Sequence, residues 1–171
     1  MFTDMIKTGL GPILAAGLAT ATIAEDLGAP SGDIILTVSG ELFVTNDDEG
    51  LVFDRDMLMA LPATTFETST IWTDGVHSFT GVALVDFAAA LGVETGRFVA
   101  TAINDYAIEI PVSDAVVGGP MIAYLMDGAE MSVRDKGPLW VIYPYDSNSA
   151  YRSEVIYSRS IWQLDRVEIV Q

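Results

Sequence analysis

Residues 70–93 read TIWTDGVHSFTGVALVDFAAALGV, and their hydrophobic period changes halfway along. The flanking pieces FETSTIW (66–72) and VHSFTG (76–81) alternate polar with apolar residues around Thr73-Asp74-Gly75. That pattern predicts two strands joined by a hairpin turn. From Gly81 onward the spacing becomes helical. Leu84, Phe87, Ala88 and Leu91 fall on one face, and Gly92 supplies the stop. Strands that run straight into a short amphipathic helix predict a sheet with a helix packed on it.

Working outward, DIILTVSG (33–40) is an aliphatic, β-branched run closed by glycine. FDRDMLMALP (53–62) reads as a short helix, with Asp54 as its N-cap and Pro62 ending it. RFVATAI (97–103) and YAIEIPV (106–112) read as strands around Asn104-Asp105. MIAYLM and AEMSV flank Asp127-Gly128, which suits a two-residue hairpin turn needing positive φ. GPLWVIYPYD (137–146) and DRVEIV (165–170) complete the strands. The fold class is therefore α+β: one β-rich mixed-sheet domain with two or three short helices.

Composition narrows the function. Half of the 171 residues are hydrophobic and 19% are charged, so the chain folds as one domain with a substantial core. The net charge of −16 argues against a nucleic-acid partner. With no cysteine, disulfides, thiolate metal sites and thiol nucleophiles are excluded. His77 is the only histidine, which removes histidine triads and multi-histidine metal sites, and it reads as a structural or rim residue. Trp140 sits in an apolar strand and reads as core. NDDEG (46–50) lacks the length of a calcium loop and reads as a solvated turn.

At the N-terminus Lys7 precedes an apolar, small-residue run from Gly9 to Ala24, followed by acidic residues and Pro30. That order predicts a signal peptide over 1–24, a linker over 25–33 and the domain over 34–171, and hence a periplasmic protein. Five of the seven cations beyond residue 24 fall in the last 38 positions: Arg134, Lys136, Arg152, Arg159 and Arg166. They predict either a local positive site or pairing with surface carboxylates, the latter favoured for Arg166.

In order and spacing, the blocks TGVAL (80–84), NDYAIEIP (104–111), AYLMDGAEM (123–131), DKGPLWVIYP (135–144) and IWQLDRVEIV (161–170) resemble the oxidoreductase molybdopterin-binding domain, the sulfite-oxidase fold. The likeness runs from about Ile34 to Val170, and the TGVAL and GPLWVIYP blocks carry most of it. In catalytic members a cysteine on the strand before the helix ligates molybdenum. The comparable stretch here, Thr68-Ser69-Thr70, has no sulfur, and hydroxyls replace a soft thiolate poorly. The chain is thus similar to the cysteine-less periplasmic, PruR-like branch, whose members bind reduced pterins and work with a membrane signalling protein. The resemblance implies a binding protein rather than an enzyme, with a reduced pterin or molybdopterin-like ligand and little place for molybdenum. A molybdopterin-dependent oxidoreductase with an atypical metal site and a domain with a vestigial pocket are the alternatives.

A pterin is flat, has a donor edge at its 2-amino and N3–H groups, and carries acceptors at O4 and N5. It therefore calls for an aromatic face, a carboxylate and a cation. The candidate aromatics are Trp72, Tyr106, Tyr145 and Trp162, with His77 at the rim. Asp74, Asp105 and Asp146 are the candidate carboxylates, and Asp135 shares their chemistry. Arg134 and Arg159 are the candidate cations, with Lys136 and Arg152 of the same type.

Overall fold

The computed structural model describes residues 27–48 and 50–171. The expected signal peptide and the start of the linker lie outside the described residues. Among the described residues the elements are β1 Ile34–Gly40, β2 Leu51–Asp54, α1 Arg55–Ala60, β3 Ala63–Ser69, β4 Val76–Ala83, α2 Leu84–Leu91, β5 Arg97–Ala102, β6 Ala107–Pro111, β7 Met121–Met126, β8 Ala129–Glu130, β9 Trp140–Ile142, α3 Glu154–Arg159 and β10 Leu164–Val170.

They form two sheets. One has the order β2-β1-β10-β5-β6; the other has β3-β4-β7-β8, with β9 on β7. The β1–β10 pair is parallel, with Thr37 opposite Arg166, and it ties the first strand to the last. Every other pairing is antiparallel. One core cluster takes residues from both sheets, including Leu36, Phe98 and Val167 from the first and Phe79, Met121 and Trp140 from the second. In β5 the alternate residues Phe98, Ala100 and Ala102 are buried, the period-two pattern of a half-covered strand.

The predicted helices form for the predicted reasons. Asp54 caps α1 by accepting from the Met57 amide at 2.8 Å. It also takes the Ser31 and Gly32 amides at 2.6 and 2.8 Å, so one carboxylate anchors the linker to the helix start. The Met57, Ser31 and Gly32 amides together lower its pKa to about 2. In α2 the buried residues are Leu84, Phe87, Ala88 and Leu91. Phe87 packs between Phe53 and Phe98, with ring centroids 6.0 and 6.3 Å away, which seats the helix on the first sheet. Gly92 ends it in the left-handed region at φ 69°, its amide facing the Ala88 and Ala89 carbonyls.

Two expectations need correction. FETSTIW was expected to stay extended to Trp72, but β3 stops at Ser69 and the connection to β4 spans residues 70–75. The Thr70 hydroxyl accepts from the Trp72 and Thr73 amides at 3.1 and 3.0 Å, closing a local turn where a ladder would need those donors. In GPLWVIYPYD only Trp140–Ile142 pair as a strand. Two elements, β2 and α3, had no sequence expectation. Helix α3 is only six residues long and carries β-branched Val155 and Ile156 directly after its first residue, Glu154, although its cap, Ser153, was visible.

Candidate functional site

The loop after β3 delivers Trp72 to the centre of an aromatic cluster. Its ring meets Trp162, Tyr157, Trp140 and Tyr145 at centroid distances of 5.6, 5.8, 5.9 and 6.2 Å, with interplanar angles from 65 to 84°. Edge-to-face contacts of this kind suit the quadrupoles of the rings. Trp140 is fully buried and belongs to the core. Tyr145 is also buried. Its hydroxyl donates to Ser160 Oγ at 2.5 Å, and burial pushes the phenol up to about 12. It stays protonated and serves as a wall.

Beside Trp72 the end of β3 is laced to the chain after β9. Thr68 is buried; its hydroxyl donates to the Ser69 carbonyl at 3.2 Å and accepts from the Asp146 amide at 3.1 Å. Asp146 in turn accepts from the Ser69 amide and hydroxyl at 2.6 and 2.8 Å, and from Arg152 at 3.3 Å. The Ser69 amide, the Ser69 hydroxyl and the Arg152 charge hold its carboxyl below the usual range. Thr70 Oγ1 is shared between two amides and Thr73 Oγ1 at 2.8 Å. All three hydroxyls in the stretch comparable to a metal-ligating cysteine are therefore engaged within the protein. These residues do not fit a molybdenum centre, and no group of three His, Cys, Asp or Glu suited to a metal occurs among the described residues.

A cleft of about 430 Å³ opens next to this cluster, lined by Trp72, Tyr106, Tyr157 and Trp162 with Ile71, Ile161 and Ala102. Its polar lining comes from Asn104, Glu154, Ser158 and Ser160. A smaller hollow of about 80 Å³ shares Ile71 and Tyr157 with it and adds Ser69, Thr70, Tyr145, Asp146 and Arg152. Size and mostly apolar lining are those of a small-molecule site.

The structure thus brings five of the ten candidate residues together: Trp72, Tyr106 and Trp162 in the cleft, Tyr145 and Asp146 in the hollow. The others lie apart from both. Asp105 pairs with Arg166 at 2.7 Å, and Arg166 also pairs with Asp165 at 3.0 Å. Arg159 binds Asp114 at 2.9 Å; that carboxylate also accepts from the Tyr143 hydroxyl at 2.7 Å. Arg134 lies exposed in a short turn at Val133–Asp135. The Lys136 amine stands 5.0 Å from the Trp162 ring centroid and 5.6 Å from that of Trp140. Three of the five C-terminal cations therefore pair with carboxylates, and none lines the larger cleft.

His77 ties two turns together. Nδ1 lies 2.6 Å from Asp127 Oδ2 and Nε2 lies 2.9 Å from the Asp74 carbonyl. Both nitrogens face acceptors, so the ring binds best as the doubly protonated cation. The Asp127 hydrogen bond, then the Asp74 carbonyl and both carboxylate charges, raise its pKa above 6.5 against the effect of burial. The stabilisation is complete below the unfolded value near 6.5 and is lost as pH rises through the higher folded value. Asp127, held low by His77, loses its share as pH falls below the usual carboxylate range. His77→Ala should accordingly lower the melting temperature at pH 5.5 and have a much smaller effect at pH 9. Equal losses at both pH values would show that the ring acts by packing alone.

Sequence reasoning missed Tyr157 and Glu154, both on α3. Ser153, a capping residue directly before Glu154, was the signal that could have placed them on a helix.

No protein-family model matches the chain, and no curated protein matches it. Among solved structures it is similar to the sulfane dehydrogenase SoxCD from Paracoccus pantotrophus, with a TM-score of 0.57 and 18% identity. The match covers 78% of this chain but 37% of that one, so the chain spans little over a third of the neighbour's length. At that identity the likeness shows the fold: a single β-rich α+β domain similar to the sulfite-oxidase fold.

Proposed function

We propose that this chain is a non-catalytic, exported pterin-binding protein that holds its ligand in the aromatic cleft and reports it to a membrane signalling partner. One observation carries the binding reading: Trp72, Tyr106, Tyr157 and Trp162 line one cleft directly beside the stretch that would bear a metal-ligating cysteine. A flat ring stacked there gains about 1–3 kcal/mol per aromatic face, by analogy with base stacking. The engaged hydroxyls of Thr68, Ser69 and Thr70 favour a metal-free pterin over a molybdenum cofactor. Export rests on the N-terminal pattern, and the signalling partner rests on the resemblance to the cysteine-less periplasmic branch.

The experiment is purification from a pterin-producing host, followed by denaturation, oxidation and fluorescence of the released small molecules. A pterin fluorophore near one per chain, with molybdenum far below that ratio, is the expected result. A protein that releases no pterin and fails to bind tetrahydrobiopterin in a direct titration would overturn the reading. Near-equimolar molybdenum would favour the oxidoreductase instead.

A further inference from the structure

The polar groups lining the cleft differ in whether the protein already uses them. Asn104 Oδ1 accepts from the Tyr106 amide at 3.2 Å. The Ser158 hydroxyl donates to the Val155 carbonyl at 2.7 Å. The Ser160 hydroxyl accepts from Tyr145 and donates to the Ile156 carbonyl at 2.8 Å. The side chain of Glu154, the one carboxylate in the lining, makes no hydrogen bond or ion pair with any described residue. Asp105, outside the lining although its chain neighbours Asn104 and Tyr106 belong to it, is committed to Arg166, and Asp146 of the smaller hollow to Ser69 and Arg152.

We infer that Glu154 is the specificity-determining residue of this cleft, selecting flat heterocycles that present two adjacent N–H donors on one edge. A carboxylate is acceptor-only and takes such a donor pair side by side. A ring that presents a donor next to a carbonyl brings an acceptor against one carboxylate oxygen and is rejected. An anionic substituent in the same place is repelled, since no lysine or arginine lines the cleft to offset it. This inference rests on the pterin reading and sharpens it. The class selected is the 2-amino-4-oxo ring, against the 2,4-dioxo ring of the same size and shape.

The test uses the full-length exported protein and two probes, pterin and lumazine, titrated by quenching of tryptophan fluorescence. Wild type should bind pterin about tenfold more tightly than lumazine, a ratio moderated by the exposure of Glu154 at the cleft mouth. Glu154→Gln keeps the size but offers one acceptor and one donor, which matches lumazine, so the preference should shrink to parity or reverse. Glu109→Gln, on the surface in a pair with Arg97 at 3.2 Å, should leave the preference unchanged. Melting curves establish that each variant is folded. If wild type binds both probes equally, or Glu154→Gln keeps the pterin preference, the assignment to Glu154 fails while the cleft reading stands. If wild type binds neither probe but binds tetrahydrobiopterin, the assignment to Glu154 fails alone; if it binds none of the three, both fail together.

Discussion

Gly81→Ala should destabilise the domain by about 3 kcal/mol or more, at the upper end of the cost of overpacking. A Cβ at this position would lie 2.1 Å from the Ile122 carbonyl oxygen, 2.6 Å from Ala123 Cα and 2.7 Å from the Ile122 carbonyl carbon. Every one of these atoms is backbone, so no side chain can swing aside. Only a separation of β4 from β7 makes room. Both strands are interior to their sheet, and the β4–β7 register shifts between Thr80 and Gly81, where the close approach occurs. Glycine at such an irregularity serves close backbone contact rather than flexibility. The damage should travel, because β7 also pairs with β9, placing Ala123 opposite Trp140 under the aromatic cluster. Thr80→Ala, which removes only the exposed hydroxyl contact to Thr65 at 2.8 Å, is the control and should cost less than about 1 kcal/mol. Denaturant midpoints measure both. A Gly81→Ala protein within 1 kcal/mol of wild type would mean that the strands part easily.

The same glycine explains why the TGVAL block was legible as sequence. Its spacing encodes three demands: a close strand crossing at Gly81, a buried face at Leu84, Phe87, Ala88 and Leu91, and a left-handed stop at Gly92. The crossing at Gly81 is set by Ile122 and Ala123 on a distant strand, and only the glycine itself marks it. The helical face and the stop are satisfied within a few residues, so periodicity reveals them. Asp54 was readable for the same reason, since its main partner is three residues away. The site was less legible because its parts come from far along the chain. Trp72 meets Tyr157 and Trp162 through tertiary packing, and Asp146 meets Ser69 from 77 residues away. Residue type alone put Asp74 and Arg159 on equal terms with Asp146. The structure separates them by partner: Asp74 offers its carbonyl to His77, and Arg159 neutralises Asp114 under the Tyr143 hydroxyl. Clustered cations looked like a binding patch because sequence shows their density and conceals the carboxylates they face.

Trp72→Ala should be costly twice over. The side chain is half-buried and touches four other aromatic rings, so its removal leaves a gap among Trp140, Tyr145, Tyr157 and Trp162. Large-to-small changes at buried aromatics cost about 3–5 kcal/mol, and partial exposure reduces that here to about 2–3. Independently, the loss of one stacking wall should weaken pterin binding by about 1–3 kcal/mol, roughly five- to a hundredfold. The two effects separate by comparison with Trp162→Ala. Trp162 is 38% exposed and lies at the edge of the cluster, so its loss should cost less stability. Its effect on binding should be of the same order, because it lines the same cleft. Trp72→Phe keeps a ring in place and should fall between wild type and Trp72→Ala in both measurements. Denaturant midpoints and tetrahydrobiopterin titrations on samples shown to be folded supply the comparison. A Trp72→Ala protein that is destabilised yet binds as tightly as wild type would make Trp72 a purely structural residue and move the ring-binding wall to Tyr106 and Trp162.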